Sequence, residues 1–281
     1  MADSERPGNP TAGGPLRLLA VLAHPDDESL GLGGALAKYA AEGVEVSLVT
    51  ATRGEGGRYH EHRDGPEHPG RQRLGEIREA ELRAAADVLG IGDVSILGYP
   101  DGALDQVDAR EIHAAIAAHI RRLRPHVVIT FPPDGAYGHP DHIAICQFTT
   151  AAVTAAADAA FGDGAAHAVP KLYYFVNSEA RMGAYESAFK KLTSKVDGVE
   201  RFPHPWPEWE ITTWIETRAQ ADTVWKAIFC HESQISVFDK LRTLSPEHHD
   251  ALWGTTEFYR AMSLVNGGRR RETDLFEGLR P

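Results

Sequence analysis

Apolar runs alternating with helix-period segments predict an α/β fold: a parallel sheet with helices on both faces, followed by a less regular C-terminal portion. Three observations predict it. Residues 16–23 (LRLLAVLA) and 126–131 (HVVITF) are near-continuous apolar runs, as expected of strands buried on both faces. Residues 71–89 place Leu74, Ile77, Leu82, Ala85 and Leu89 on one helical stripe, with Gly90 after the end. The order through residue 131 reads β-α-β-α-β-α-β, and alternation at that spacing gives parallel pairing.

The elements follow in order. Strand 16–23 ends at a His-Pro, and a glycine-rich turn leads to a helix over 36–42 with Gly43 as its stop. Strand 44–51, helix 71–89 and a short strand over 94–97 come next. A helix over 111–124, stopped by Pro125, feeds strand 126–131. Pro140 opens a helix running through the Ala-rich stretch to residue 160, and 171–176 (KLYYFV) is a further strand. The pattern then weakens: 219–231 and 246–264 look helical, and the Pro/Trp-rich 197–209 reads as loop. With no internal repeat and no long linker, residues 16–281 form one domain. Its Rossmann-like core spans 16–176 and its C-terminal portion 177–281, behind a flexible tail over 1–15.

Composition excludes several classes. A formal net charge of −11, with only Arg269, Arg270 and Arg271 clustered, disfavours a phosphate-backbone binder, so no nucleic-acid partner is expected. The Gly/Pro/Ser-rich opening lacks the apolar stretch of a signal peptide, and no run reaches the roughly 18 apolar residues of a membrane span. Two distant cysteines, Cys146 and Cys230, form neither a disulfide framework nor a CxxC zinc site. A cytoplasmic protein without a membrane partner is the expectation, and a homo-oligomer stays open.

Ligands of an open parallel sheet gather beyond the carboxyl ends of its strands. Two clusters stand there: Ala23-His24-Pro25-Asp26-Asp27-Glu28 after the first strand, and Gly138-His139-Pro140-Asp141-His142 after strand 126–131. One His-Pro-Asp is an ordinary turn with a helix-capping aspartate. Two copies, both at strand ends of one sheet, supply imidazoles and a carboxylate around an open position, the ligand set of hydrolytic zinc sites. An extra carboxylate beside them supplies a base.

With both motifs intact, the sequence resembles the LmbE-related (PIG-L) N-acetylglucosaminyl deacetylase family, whose signatures are an AHPDDE-type and an HPDH-type motif. The family includes deacetylases of mycothiol and bacillithiol synthesis, mycothiol S-conjugate amidases and deacetylases of antibiotic glycosides. The resemblance implies His24, Asp27 and His142 as ligands of Zn²⁺, with Fe²⁺ as the alternative ion. It implies Asp26 as general base, His139 as the imidazole that steadies the tetrahedral intermediate when protonated, and Tyr137 as a donor to the oxyanion. Asp141 would orient a neighbouring imidazole. Arg78 and Asp101 match sugar-binding positions, and Glu55 follows strand two where it could line the pocket. The implied substrate is a small amino sugar carrying an N-acetyl group.

Other features have plainer readings. Gly31, Gly33 and Gly34 hint at a dinucleotide-binding oxidoreductase, but Asp26 and Asp27 would face the pyrophosphate. His60, His62 and His68 lie in a polar loop read as a lid, and Cys146 as a small apolar filler. Trp206, Trp209 and Trp214 suit either sugar stacking or packing. His231 recurs in the family, but as a helix-end histidine it stays outside the expected site. The ending Asp274-Leu275-Phe276-Glu277-Gly278-Leu279-Arg280 looks like that of the S-conjugate amidases, which keeps that activity as the alternative.

Overall fold

The computed structural model describes residues 14–188, 193–196, 198–234, 236, 239–268 and 270–280. Residues 1–13 of the expected tail lie outside these. The chain order is β1 (Arg17–Leu22), α1 (Asp27–Leu30), α2 (Gly33–Ala41), β2 (Glu45–Thr52), α3 (Arg71–Leu89), β3 (Asp93–Tyr99), α4 (Ala109–Leu123) and β4 (Val127–Thr130). Then come α5 (Gly135–Gly138), α6 (Pro140–Ala157), β5 (Lys171–Val176) and α7 (Glu179–Ala188). The remainder is β6 (Ser194–Val196), β7 (Val199–Arg201), β8 (Thr213–Glu216), α8 (Ala221–Ile228), α9 (Pro246–Trp253) and β9 (Thr255–Ser263).

Seven strands form one sheet in the order β3-β2-β1-β4-β5-β9-β8. The five N-terminal strands are parallel, as the alternation predicts. Leu18 to Leu22 of β1 are all buried, so both faces of the central strand are covered. Around it α4 packs on α6, while α2 and α3 pack with α8. The strand order reverses direction between the neighbours β1 and β4, which opens a crevice at their carboxyl ends. Both motif clusters border it.

The C-terminal portion departs from the expected pattern. Only half of 246–264 is helical. Ser245 caps α9 by accepting the His248 N–H at 3.3 Å, and the helix stops at Gly254. Residues Thr255–Ser263 instead form β9, antiparallel to β5. Their β-branched and aromatic side chains suit a strand, and β9 covers an edge of the parallel sheet that would otherwise be open. The strand β8 pairs with β9 and completes the sheet. Within 197–209, Val199–Arg201 pairs with Ser194–Val196 as a small hairpin rather than loop. Asp197 itself lies outside the described residues.

One buried carboxylate ties this portion down. Glu272, 1% exposed, accepts from Lys171 Nζ (2.8 Å), Tyr173 OH (2.7 Å), Thr213 Oγ1 (2.8 Å) and Asn266 Nδ2 (2.6 Å), and pairs with Arg260 at 2.7 Å. A buried charge is tolerable when its lone pairs are satisfied in this way. Beyond it Leu275, Phe276 and Leu279 are buried, and the Tyr39 hydroxyl on α2 accepts the Leu275 N–H at 2.8 Å. The apolar residues of the ending at 274–280 are therefore packed into the core.

Candidate active site

The turn after β1 places the first cluster. Asp27 opens α1 and its Oδ2 accepts the His24 N–H at 2.8 Å, folding the turn back on itself. Between them Asp26 takes φ +106°, a left-handed conformation that a non-glycine residue adopts at a cost. After β4, Gly135, Ala136 and Gly138 also have positive φ and swing the chain round to α6. His139 caps α6, its Nδ1 accepting the Asp141 N–H at 3.2 Å, with Pro140 in the first turn. His142 follows on the first turn of α6, and its ring stacks on Phe131 at 3.7 Å.

Three donors converge across the crevice. His24 Nδ1 lies 3.2 Å from His142 Nε2, Asp27 Oδ2 lies 3.6 Å from His24 Nδ1, and Asp27 Oδ1 lies 3.5 Å from His142 Nε2. The far nitrogens are engaged: His24 Nε2 with Asp141 Oδ2 at 3.1 Å and Asp101 Oδ1 at 3.2 Å, and His142 Nδ1 with the Gly135 carbonyl at 3.3 Å. Those partners are acceptors, so they favour the tautomers with protons on the far nitrogens. Two imidazole lone pairs and a carboxylate then point at one another. Ligand atoms about 2.0–2.1 Å from a tetrahedral zinc stand roughly 3.3–3.4 Å apart, which the 3.2 Å between the two imidazole nitrogens suits, while Asp27 approaches each imidazole with a different oxygen.

Two further groups of donors fall within 4.8 Å of one another: His24 with His139 and His142, and His24 with Asp101 and Asp141. In the first, His139 spends Nδ1 on the cap of α6. In the second, Asp141 is fully buried and also accepts the Gly102 N–H at 2.7 Å and the Leu104 N–H at 3.0 Å. Such a carboxylate is suited to orienting His24 from behind.

The electrostatics fit a site built for a cation. Burial works against a charged His24, yet its bonds to Asp101, Asp141 and Asp27 hold its pKa well above the ordinary value, so these carboxylates favour a positive charge there and a bound cation would take the place of the Nδ1 proton. Burial would raise Asp27, but His142 and His24 bring it down to about 2. His142, chiefly through burial and despite Asp27, is lowered to about 3, so it offers a neutral imidazole. Burial lifts Asp26 to about 6 against the pull of Arg78, within reach of a base working near neutral pH. Burial and the neighbouring His24 lower His139, which is therefore neutral at rest. Burial and the two carboxylates Asp27 and Asp26 raise Tyr137, so its phenol keeps its proton. The Tyr137 ring stands edge-on to His142 at 5.3 Å and to His139 at 5.8 Å.

Arg78 lies deeper than a surface sugar contact would. It is 4% exposed, donates to the Gly54 carbonyl at 2.8 Å, to the Pro25 carbonyl, and to Asp26 Oδ2 at 3.0 Å. Gly54 has φ +65°, and a Cβ there would stand 2.2 Å from the guanidinium. Asp101 sits at the end of β3, its Oδ2 accepting the Gly56 N–H at 2.8 Å, and Glu55 Oε1 accepts the Asp101 N–H at 2.9 Å. Glu55 thus braces Asp101. His24, Asp26, Asp27, Arg78, Asp101, Tyr137, His139, Asp141 and His142 all line or back one crevice.

Features read as bland stay outside it. A Cβ on Gly34 would meet Thr217 at 2.7 Å and one on Gly31 would meet Phe175 at 2.9 Å, so close packing accounts for these two glycines. Cys146 is buried on α6. His60, His62 and His68 enter no group of converging donors among the described residues. Trp206 packs on Tyr259, Trp214 lies under Arg271, and Trp209 is 77% exposed. No described helix is long and apolar enough to cross a membrane. What sequence reasoning passed over is the pair Glu28 and His231, both fully buried and 2.8 Å apart. An acidic residue next to a metal-ligand motif, with a distant histidine, carries no spacing signal that would join them.

A sequence model of the PIG-L family, described as GlcNAc-PI de-N-acetylase, matches residues 19–153, the stretch holding both motifs. A 1D-myo-inositol 2-acetamido-2-deoxy-alpha-D-glucopyranoside deacetylase of Streptomyces griseus is 36% identical, over 94% of this chain and 89% of its own. This chain belongs to the PIG-L family. Among solved structures, the conserved protein TT1542 of Thermus thermophilus shares 26% identity at a TM-score of 0.62, covering 90% of this chain and 97% of that one. The 4-carboxy-2-hydroxymuconate hydratase of Pseudomonas putida shares the fold at a TM-score of 0.68 and 18% identity, covering 90% and 99%. A hydratase on this architecture means that the residues of the crevice, not the fold, must carry the argument for a reaction.

Proposed function

We propose that the protein is a zinc-dependent hydrolase that removes the N-acetyl group from an N-acetylglucosamine-type glycoside. The observation that carries this is the convergence of His24, Asp27 and His142 within 3.6 Å of one another, with the Asp26 carboxylate alongside. The Streptomyces griseus relative acts on a 2-acetamido-2-deoxy-glucopyranoside of myo-inositol, which supports an amino-sugar substrate here. His24, Asp27 and His142 would hold Zn²⁺, or Fe²⁺ in its place. When bound, the ion acidifies water and polarises the amide carbonyl.

The chain's own residues do the rest. Asp26, the carboxylate beside the metal donors, accepts the proton of the attacking water. Tyr137 keeps its phenolic proton and donates a hydrogen bond to the oxygen that gains charge as the carbonyl carbon becomes tetrahedral. His139, neutral at rest, takes a proton from solvent, supports the oxyanion and delivers that proton to the departing amine, while Asp26 returns the proton it took from water to solvent. Asp141 and Asp101 fix His24 through its Nε2. Arg78 and Asp101 would meet the sugar: three of the five guanidinium hydrogens are used, which leaves one on Nε and one on the nitrogen that donates to Gly54.

The test is amine release from that inositol glycoside by zinc-loaded protein, comparing wild type with Asp26→Asn. Turnover by the wild type, and kcat lower by about 10²–10⁴ with metal retained in the variant, is the expected result. A variant that turns over like the wild type would remove Asp26 as the base.

A further inference from the structure

Behind Asp26 lies a second layer of ionisable groups that the reaction scheme leaves without a task. Glu28 and His231 are both 0% exposed. Glu28 Oε2 accepts the backbone N–H of Asp26 at 3.0 Å. Its Oε1 accepts from Ser29 Oγ at 2.5 Å and lies 2.8 Å from His231 Nε2. His231 Nδ1 has no hydrogen-bond partner among the described residues, so the ring's polar contacts run through Nε2, to Glu28 and, at 3.4 Å, to Ser29 Oγ. A fully buried carboxylate is costly unless satisfied, and a core position filled only for packing would be apolar.

What this carboxylate grips is the strained residue. Asp26 holds φ +106° and ψ −25°, a conformation that costs about 1–3 kcal/mol and persists only where its surroundings over-determine it. Its carbonyl accepts from Ser29 and Leu30 within the same turn. Its carboxylate is held by Arg78, and its N–H by Glu28. His231 anchors Glu28 from a segment that is itself fixed. Ser233 donates its N–H and hydroxyl to Glu81 at 2.6 and 2.7 Å, its carbonyl accepts the His60 N–H at 2.6 Å, and Gln234 donates to the Arg58 carbonyl at 2.7 Å.

We propose that Glu28 and His231 together are a positioning device for Asp26: His231 holds Glu28, and Glu28 holds the Asp26 backbone in the conformation that aims its carboxylate. This deepens the deacetylase reading and rests on Asp26 being the base. A base displaced by a fraction of an ångström works poorly while the metal donors and the sugar contacts are untouched. The loss therefore belongs in kcat rather than in KM or metal content.

The experiment compares wild type, His231→Leu, His231→Gln, Asp26→Asn and the double variant Asp26→Asn/His231→Leu, on the inositol glycoside of N-acetylglucosamine. Expected for His231→Leu is a kcat lower by about 10- to 100-fold, with KM and zinc content as in wild type. His231→Gln places an amide donor near the position of Nε2 and recovers most of that loss. In the Asp26→Asn background His231→Leu costs nothing more, because the group it aims is gone. If His231→Leu does not fold, Glu28→Met replaces it, close in length but without an acceptor for the Asp26 N–H, with the same expected loss of kcat. A folded His231→Leu with wild-type kcat, or an equal fold-loss with and without Asp26, overturns the inference. Wild-type kcat in Asp26→Asn alone is a separate failure, of the base itself, and overturns the inference along with it.

Discussion

His24 and Asp141 lie 117 positions apart in sequence, yet the imidazole Nε2 and the carboxylate Oδ2 are 3.1 Å from each other. The contact spans the crevice between β1 and β4. It fixes which nitrogen of His24 faces Asp27 and His142. Because Asp141 is anchored by two backbone N–H groups after β3, three strand ends share in setting one imidazole.

Asp141→Asn keeps size but supplies a weaker partner for His24. Loss of such a partner typically costs 10–100-fold in metal affinity, and that range is expected here. Competition against a chelator of known zinc affinity measures it. Unchanged affinity would mean that Asp141 serves only the loop after β3.

Glu272 predicts how the C-terminal portion responds to acid. Burial would raise its pKa, but Lys171, Asn266, Tyr173 and Thr213 hold it down at about 2, against an ordinary value of 4.5. A lowered folded-state pKa gives stability that is present above about pH 4.5 and is lost as pH falls toward 2. Glu272→Gln leaves Lys171 buried without its charge partner, so stability near pH 7 should fall by about 3–5 kcal/mol. In thermal unfolding the gap between variant and wild type should narrow as pH drops below about 4.5. A gap independent of pH would show that the network works through shape and not through charge.

The parallel half of the fold and its site were legible because each signal is local. Buried strands read as apolar runs, and both motifs sit within a few residues of a strand end. His24, Asp27 and His142, which the motifs suggest as metal donors, lie close together. Past Val176 local signals compete. Residues 246–264 continue a helical pattern through Gly254, and only pairing with β5 makes Thr255–Ser263 a strand. The depth of Arg78 could not be read either. A helix arginine looks like a solvated charge until the glycine loop at 54–57 is folded over it. The join between His231 and Glu28 likewise exists only in three dimensions.

Substrate choice has its own test. If Arg78 and Asp101 meet sugar hydroxyls, an acyclic N-acetyl amine forfeits those hydrogen bonds. A site built to pair a hydroxyl rejects a partner lacking it by far more than one lost methylene would, and kcat/KM for the acyclic amine should fall by roughly 10⁴. Steady-state kinetics on an N-acetylglucosaminide and the acyclic amine provides the ratio. Equal values would redirect the reading to a general amidase and leave the metal chemistry in place.

The central claim is that His24, Asp27 and His142 together hold one metal ion, and elemental analysis tests it most directly. Purified protein dialysed against zinc should carry close to one equivalent per chain, since three protein donors converge on one point. His24→Ala and His142→Ala, checked for folding by circular dichroism, should lose that zinc and all amine release together. Full zinc occupancy in both folded variants would contradict the account.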